Sequence, residues 1–181
     1  MLEITAQGLL AVTLAAHGIS AAFAAVRCRP RAHREPAEPG SPRVTIVRPV
    51  CGVEAFDAVT LATTFGLDYP NLHLIFCCDC PNDPAVRLVD SLIQAHPHVS
   101  TQLLIGRNPA TANPKLNNLL KAWPRIETDW LILADSNVEM PPDYVQRLLA
   151  CWRPETGAMC APPIGARAQD KHRSLQIARS G

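Results

Sequence analysis

The 181-residue chain is poor in aromatic side chains, at 5% of the sequence, and its charges nearly cancel to a formal +1. The first lack removes a stacking platform for bases and the second removes a basic stripe for phosphates, so nucleic acid is excluded as a partner. Cysteine is present without a framework. Seven residues, an odd number at irregular spacing, do not pair into a disulfide scaffold, and reduced thiols in a cytosolic compartment fit better. Cys77, Cys78 and Cys80 cluster, but no second Cys or His pair stands at the spacing that structural zinc requires. Internal repeats and low-complexity tracts are also missing.

Charge is absent altogether from Ile4 to Val26. At ~1.5 Å per residue, a helix of that length just crosses a hydrocarbon core. Arg27, Arg29, Arg31 and Arg34 follow it, while Glu3 is the only charged side chain before it. That asymmetry predicts a membrane anchor over 4–26, with the remainder of the chain on the cytosolic side. A cleaved signal peptide and a buried Ala-rich helix compete with this reading. Ala22-Phe23-Ala24 resembles a cleavage site, and Gly8, His17, Gly18 and Ser20 dilute the hydropathy. Glu3 stands where a signal peptide carries positive charge, which favours the anchor.

Residues 27–42 read as a basic, proline-rich linker. Beyond it, two periodicities alternate. Val44 to Val47 is a β-branched run ending at Pro49. Ala55 to Phe65 has helical spacing and stops at Gly66. Leu72 to Cys78 is a second apolar run, followed by a helix opened by Pro84. Thr101 to Ile105 predicts a third strand, and Leu116 to Trp123 a helix stopped by Pro124. Trp130 to Ala134 predicts a fourth strand, followed by a helix opened by Pro142, and Ala158 to Pro162 a fifth strand. Such alternation implies an α/β fold, a parallel sheet with helices on its faces. Ligands of such sheets sit beyond the carboxyl ends of the strands, so the strand tips should carry the chemistry.

At those tips stand groups with two readings each. Asp135 follows Leu131-Ile132-Leu133-Ala134 directly and could hold Mg²⁺ or Mn²⁺ against a diphosphate, with Ser136 and Asn137 adding oxygen ligands. The same Asp-Ser-Asn also suits a turn or helix cap. Asp79 and Asp83 are acceptors suited to the N–H of a uracil ring and the hydroxyls of a ribose, although Asp83-Pro84 also reads as a cap. Lys115, in the first turn of a helix, could meet phosphate oxygens together with free backbone N–H groups, or could simply be solvated.

Taken jointly, these pieces resemble one family. Arg48-Pro49-Val50-Cys51-Gly52-Val53-Glu54 is similar to the K-P-L-x-G-x-D/E start of ceramide glucosyltransferases and their bacterial relatives, including hopanoid-associated glycosyltransferases. Leu67-Asp68-Tyr69-Pro70, Asn82-Asp83-Pro84-Ala85, Asn113-Pro114-Lys115-Leu116-Asn117-Asn118-Leu119 and Ala134-Asp135-Ser136-Asn137 appear in the family's order. The resemblance covers residues 43–164. It implies a Rossmann-like GT-A nucleotide-binding region behind one transmembrane helix, and inverting transfer of a hexose from a UDP-sugar to a membrane lipid such as ceramide or hopanoid. By that resemblance Asp83 lies near the nucleotide, Asp135 with Asn137 takes the divalent ion and diphosphate, and Lys115, Asn118 and Glu54 belong to the nucleotide site.

The family also carries a third aspartate, its presumed base, and a Q/R-x-x-R-W motif further downstream. Neither occurs in these residues, and 165–181 reads as an irregular polar tail. The expectation is therefore the nucleotide half of a transferase site, as an N-terminal portion that is a fragment of a longer chain, a frameshift product or a natural truncation. A non-catalytic module that binds UDP or a partner chain is the alternative. A phospho-acceptor signalling domain is a third class, against which stands the lack, from Arg48 to Val53, of the acidic pair such domains need.

Overall fold

The structure, a computed structural model, describes residues 2–27 and 41–162. The linker expected over 27–42 lies outside the described residues except at its two ends, as do the tail over 165–181 and Cys28. Helix α1 spans Leu2–Arg27. Within it Ala6–Val26, 21 residues of mean hydropathy 1.9 with none of the span buried, is long and apolar enough to cross a membrane.

The second unit alternates strand and helix. Its elements are β1 (Val44–Pro49), α2 (Asp57–Phe65), β2 (Leu72–Cys78), α3 (Pro84–Ala95), β3 (Ser100–Ile105), α4 (Pro114–Ala122), β4 (Trp130–Leu133) and α5 (Tyr144–Cys151). The four strands are all parallel in the order β3-β2-β1-β4. The chain steps outward from β1 to β3, then returns to the far side of β1 as β4. The sheet thus has its switch point between β1 and β4, where a crevice opens at the carboxyl ends.

Side chains alternate between the two faces of the sheet, as strand geometry dictates. Val44, Ile46, Leu74 and Phe76 join Leu61, Phe65, Val89, Met140 and Val145 in the larger core, under α2, α3 and α5. Val47, Ile75 and Cys77 pack with Ala122 and Leu119 under α4 on the other face. Each such aliphatic or aromatic side chain contributes about 1.5–3 kcal/mol when fully buried.

Three element starts differ from expectation. The α2 helix begins at Asp57 because that side chain accepts the Glu54 amide at 2.8 Å and closes residues 54–56 into a turn. The α5 helix begins at Tyr144, two residues after Pro142, whose carbonyl takes the Asp68 amide at 2.9 Å. The α4 helix begins earlier than expected, at Pro114, where the missing N–H costs nothing, and Asn113 caps it through the amides of Lys115 and Leu116. Pro124 does not stop the chain's helical path but sits within a 3₁₀ turn, Trp123–Arg125.

The expected fifth strand does not form. Residues 158–162 are exposed and enter no ladder among the described residues, so the sheet has four strands there. An apolar run without a strand edge alongside it satisfies its backbone groups with water instead.

Candidate functional site

Four strand and helix ends converge on one cavity of about 510 Å³. From the end of β1 come Pro49, Val50 and Cys51; from β2 come Asp79, Cys80 and Asp83. The N-terminus of α4 contributes Asn113, Pro114, Lys115 and Asn118, and the loop after β4 contributes Asp135, Ser136 and Asn137. Asp79, Asp83, Lys115, Asn118, Asp135 and Asn137 therefore share one cavity. Glu54 does not line it. Its amide is tied to Asp57 and its side chain is exposed.

The Asp83 carboxylate is largely engaged by the fold. It accepts the Gly52 amide at 2.9 and 3.0 Å and caps α3 through the Ala85 amide at 2.8 Å. Gly52, at φ 67°, occupies the left-handed region that lets its N–H turn toward Asp83 without a Cβ penalty. Burial, then the neighbouring Asp83 carboxylate, raises the Cys51 thiol above its ordinary pKa. Cys77 is fully buried and is pushed up to about 11 by that burial.

Asp79 and Asn118 differ from Asp83. One oxygen of each, Oδ1 in both cases, is buried without a hydrogen-bond partner. A buried acceptor left unpaired costs about 1–3 kcal/mol, so both positions favour a donor that enters the cavity. Lys121 approaches Asp79 Oδ1 no closer than 3.9 Å; it donates instead to the carbonyls of Cys78 at 2.7 Å and Gly106 at 2.5 Å, tying the tips of β2 and β3 together.

In the same cavity, the Lys115 ammonium sits on Asp135 Oδ1, with both side chains about half exposed. Asp135 thus already accepts a cation at the cavity surface. Among the described residues, no group of three His, Cys, Asp or Glu side chains is placed to hold a metal. A single carboxylate with the Ser136 and Asn137 oxygens beside it still fits Mg²⁺ or Mn²⁺, which commonly complete their shells with phosphate oxygens and water.

Arg48 is the residue whose role the sequence pattern left unassigned. It stands next to last in the largely apolar strand β1 and is fully buried. Its guanidinium donates to the Thr60 carbonyl at 3.0 Å and the Thr64 hydroxyl on α2. It also donates to the carbonyls of Asp135, Ser136 and Val138 at 2.6, 2.9 and 2.8 Å. Burial pushes its pKa down to about 10, opposed by the charges of Asp57 and Asp135, so it remains a cation at neutral pH. The signal in the sequence was the charge itself: an arginine inside Val-Thr-Ile-Val-Arg-Pro needs several acceptors to be buried.

A parallel sheet with a cavity at the carboxyl ends of its strands is a doubly wound α/β arrangement, here GT-A-like. The structure superposes on a mannosyltransferase of Pyrobaculum calidifontis, solved in complex with GDP-Man and Mn²⁺, with a TM-score of 0.59 at 19% identity, over 78% of this chain and 42% of that one. Residues 10–178 match the family model for glycosyl transferase family 21, and the chain belongs to that family. Among curated relatives, a ceramide glucosyltransferase of Komagataella phaffii is 36% identical over 107 residues, 57% of this chain and 21% of the relative. Ceramide glucosyltransferase 1 of Caenorhabditis elegans is 29% identical over 113 residues, 62% of this chain and 24% of the relative. The chain thus spans between a fifth and a quarter of the length of these two relatives.

Proposed function

We propose that this chain is the donor-binding portion of a membrane-anchored hexosyltransferase, and that its cavity takes a UDP-sugar with Mg²⁺ or Mn²⁺. The observation that carries the proposal is the meeting of two kinds of group in one cavity. It is lined by unpartnered buried acceptors on Asp79 and Asn118 and by the Lys115 cation beside the Asp135 carboxylate. A nucleoside diphosphate has donors for the acceptors and negative charge for the cation.

In this reading Asp79 and Asn118 accept from the base and ribose, and Asp83 holds the Gly52 loop and α3 around them. Lys115 meets diphosphate oxygens from the first turn of α4, whose amides Asn113 already caps. Asp135 would hold the ion, with Ser136 and Asn137 beside it. When bound, the ion supplies charge neutralisation for the departing diphosphate. Glu54 lies outside this cavity and is proposed only as part of the loop that shapes its β1 side.

The transfer itself, to the hydroxyl of a membrane lipid such as ceramide or a hopanoid, is the proposal for the longer family members. The ceramide glucosyltransferases among the relatives support it. Helix α1 is the proposed single-pass anchor. Arg27, Arg29, Arg31 and Arg34 after it support, by the positive-inside rule, a domain on the cytosolic side.

Calorimetric titration of the 181-residue chain in detergent with UDP, with Mn²⁺ or with EDTA, tests the site. The expected result is Mn²⁺-enhanced UDP binding that Asp135→Ala abolishes. An affinity unchanged by Mn²⁺ in the unmutated chain would remove the reading.

A further inference from the structure

The loop that presents Asp135, Ser136 and Asn137 has already left the sheet. The Ala134 amide makes the last ladder bond, to the Val47 carbonyl at 3.1 Å. Beyond that bond the backbone is gathered instead around one buried nitrogen. Arg48 Nη2 lies 2.6, 2.9 and 2.8 Å from the carbonyl oxygens of Asp135, Ser136 and Val138. Thr60 Oγ1 adds a second bond to the Ser136 carbonyl at 2.7 Å. Nη1 is fixed from the other side by the Thr60 carbonyl and the Thr64 hydroxyl of α2. The loop carbonyls are thereby turned inward onto a cation, while the loop's residues 135–137 border the cavity.

Resting on the donor-site reading above, we infer that Arg48 is a positioning residue for the cation site: through three carbonyls it sets the 135–138 loop so that Asp135, Ser136 and Asn137 face the cavity together. It touches no ligand itself. A carbonyl loop gathered on one donor has a definite geometric requirement. An ammonium supplies three N–H bonds from a single point and can replace that nitrogen, whereas an apolar side chain of similar length fills the volume without holding the loop. A role in packing alone makes the opposite demand, since volume without donors would then suffice.

The experiment is UDP titration of the 181-residue chain in detergent, with Mn²⁺ and with EDTA, for the unmutated protein, Arg48→Lys, Arg48→Met and Thr60→Val. In Arg48→Met the affinity gained from Mn²⁺ falls about ten-fold or more, as loss of charge-assisted hydrogen bonds predicts. Arg48→Lys recovers most of that gain. Thr60→Val, which keeps Arg48 and removes one donor to Ser136, lowers it about three-fold. Metal-free UDP affinity stays within about two-fold throughout, because the Asp79 and Asn118 acceptors are untouched. Equal losses with and without Mn²⁺, or no rescue by lysine, would overturn the inference. Where Arg48→Met fails to fold by circular dichroism, an undiminished Mn²⁺ gain in Thr60→Val overturns it. Absence of any Mn²⁺ gain in the unmutated chain removes the donor-site reading, and this role of Arg48 with it.

Discussion

The Lys115 ammonium rests on the Asp135 carboxylate at the lining of the cavity, joining the first turn of α4 to the loop after β4. Both side chains are more than half exposed, at 55% and 54%, so the pair contributes little to stability. Its consequence is competition, because a divalent ion on Asp135 must displace the ammonium, and diphosphate oxygens can then receive it. Lys115→Met therefore moves two affinities in opposite directions. Mn²⁺ alone binds about three-fold to ten-fold more tightly, and UDP with Mn²⁺ binds about ten-fold more weakly. Electron paramagnetic resonance of free Mn²⁺ reads the first and calorimetry the second. Parallel weakening of both would show that Lys115 does not occupy the cation position.

Asn118 is buried to 5% exposure with Oδ1 unpaired, on the same helix and three residues beyond Lys115. Replacing such a group by an apolar one of similar size removes a desolvation penalty. Asn118→Leu is thus expected to unfold at the same or a higher urea concentration, by up to about 1–2 kcal/mol, while UDP affinity drops about ten-fold. A variant that loses stability and keeps UDP affinity would mean that the Asn118 oxygen serves the fold instead.

Much of this arrangement was legible before the fold was known. Leu72 to Cys78 is a strand at the boundaries its apolar run predicts, and the alternation of periodicities correctly implied a parallel sheet. A parallel sheet sends every strand's carboxyl end to the same edge. Residues as distant in sequence as Asp79 and Asp135 then share a cavity without any local pattern saying so. What the pattern could not carry was partnership. Ala158 to Pro162 has strand-like composition, but a strand exists only beside another strand. Arg48 looked like the first letter of a motif, and only the fold reveals three loop carbonyls around it. Helix starts at Asp57 and Tyr144 were likewise set by contacts rather than by composition.

The cavity thiols give an independent check on where UDP binds. Cys51 and Cys80 are exposed and line the cavity, whereas Cys77 is fully buried with its pKa raised to about 11. Iodoacetamide at pH 8 should label Cys80, label Cys51 more slowly because its pKa is raised, and leave Cys77 unmodified in the folded chain. UDP with Mn²⁺ should protect Cys51 and Cys80 together. Peptide mass mapping reads all three, and unprotected labelling at saturating UDP would place the nucleotide elsewhere.

His73 ties the start of β2 to β3, with Nδ1 2.8 Å from the Ser100 hydroxyl. Burial holds its pKa below the ordinary 6.5, and a hydrogen bond with the Ser100 backbone and the charge of Glu127 only partly oppose this. The folded chain therefore binds this proton less readily than the unfolded chain does. Stability from the neutral imidazole is complete above 6.5 and declines as pH falls from there toward the lower folded value. His73→Gln, which keeps a hydrogen-bonding group for Ser100 and cannot titrate, should flatten that decline. Urea midpoints at pH 7.5 and 5.5 measure the difference between the two proteins, which cancels carboxylate contributions common to both. An identical loss on acidification would exclude His73 as its source.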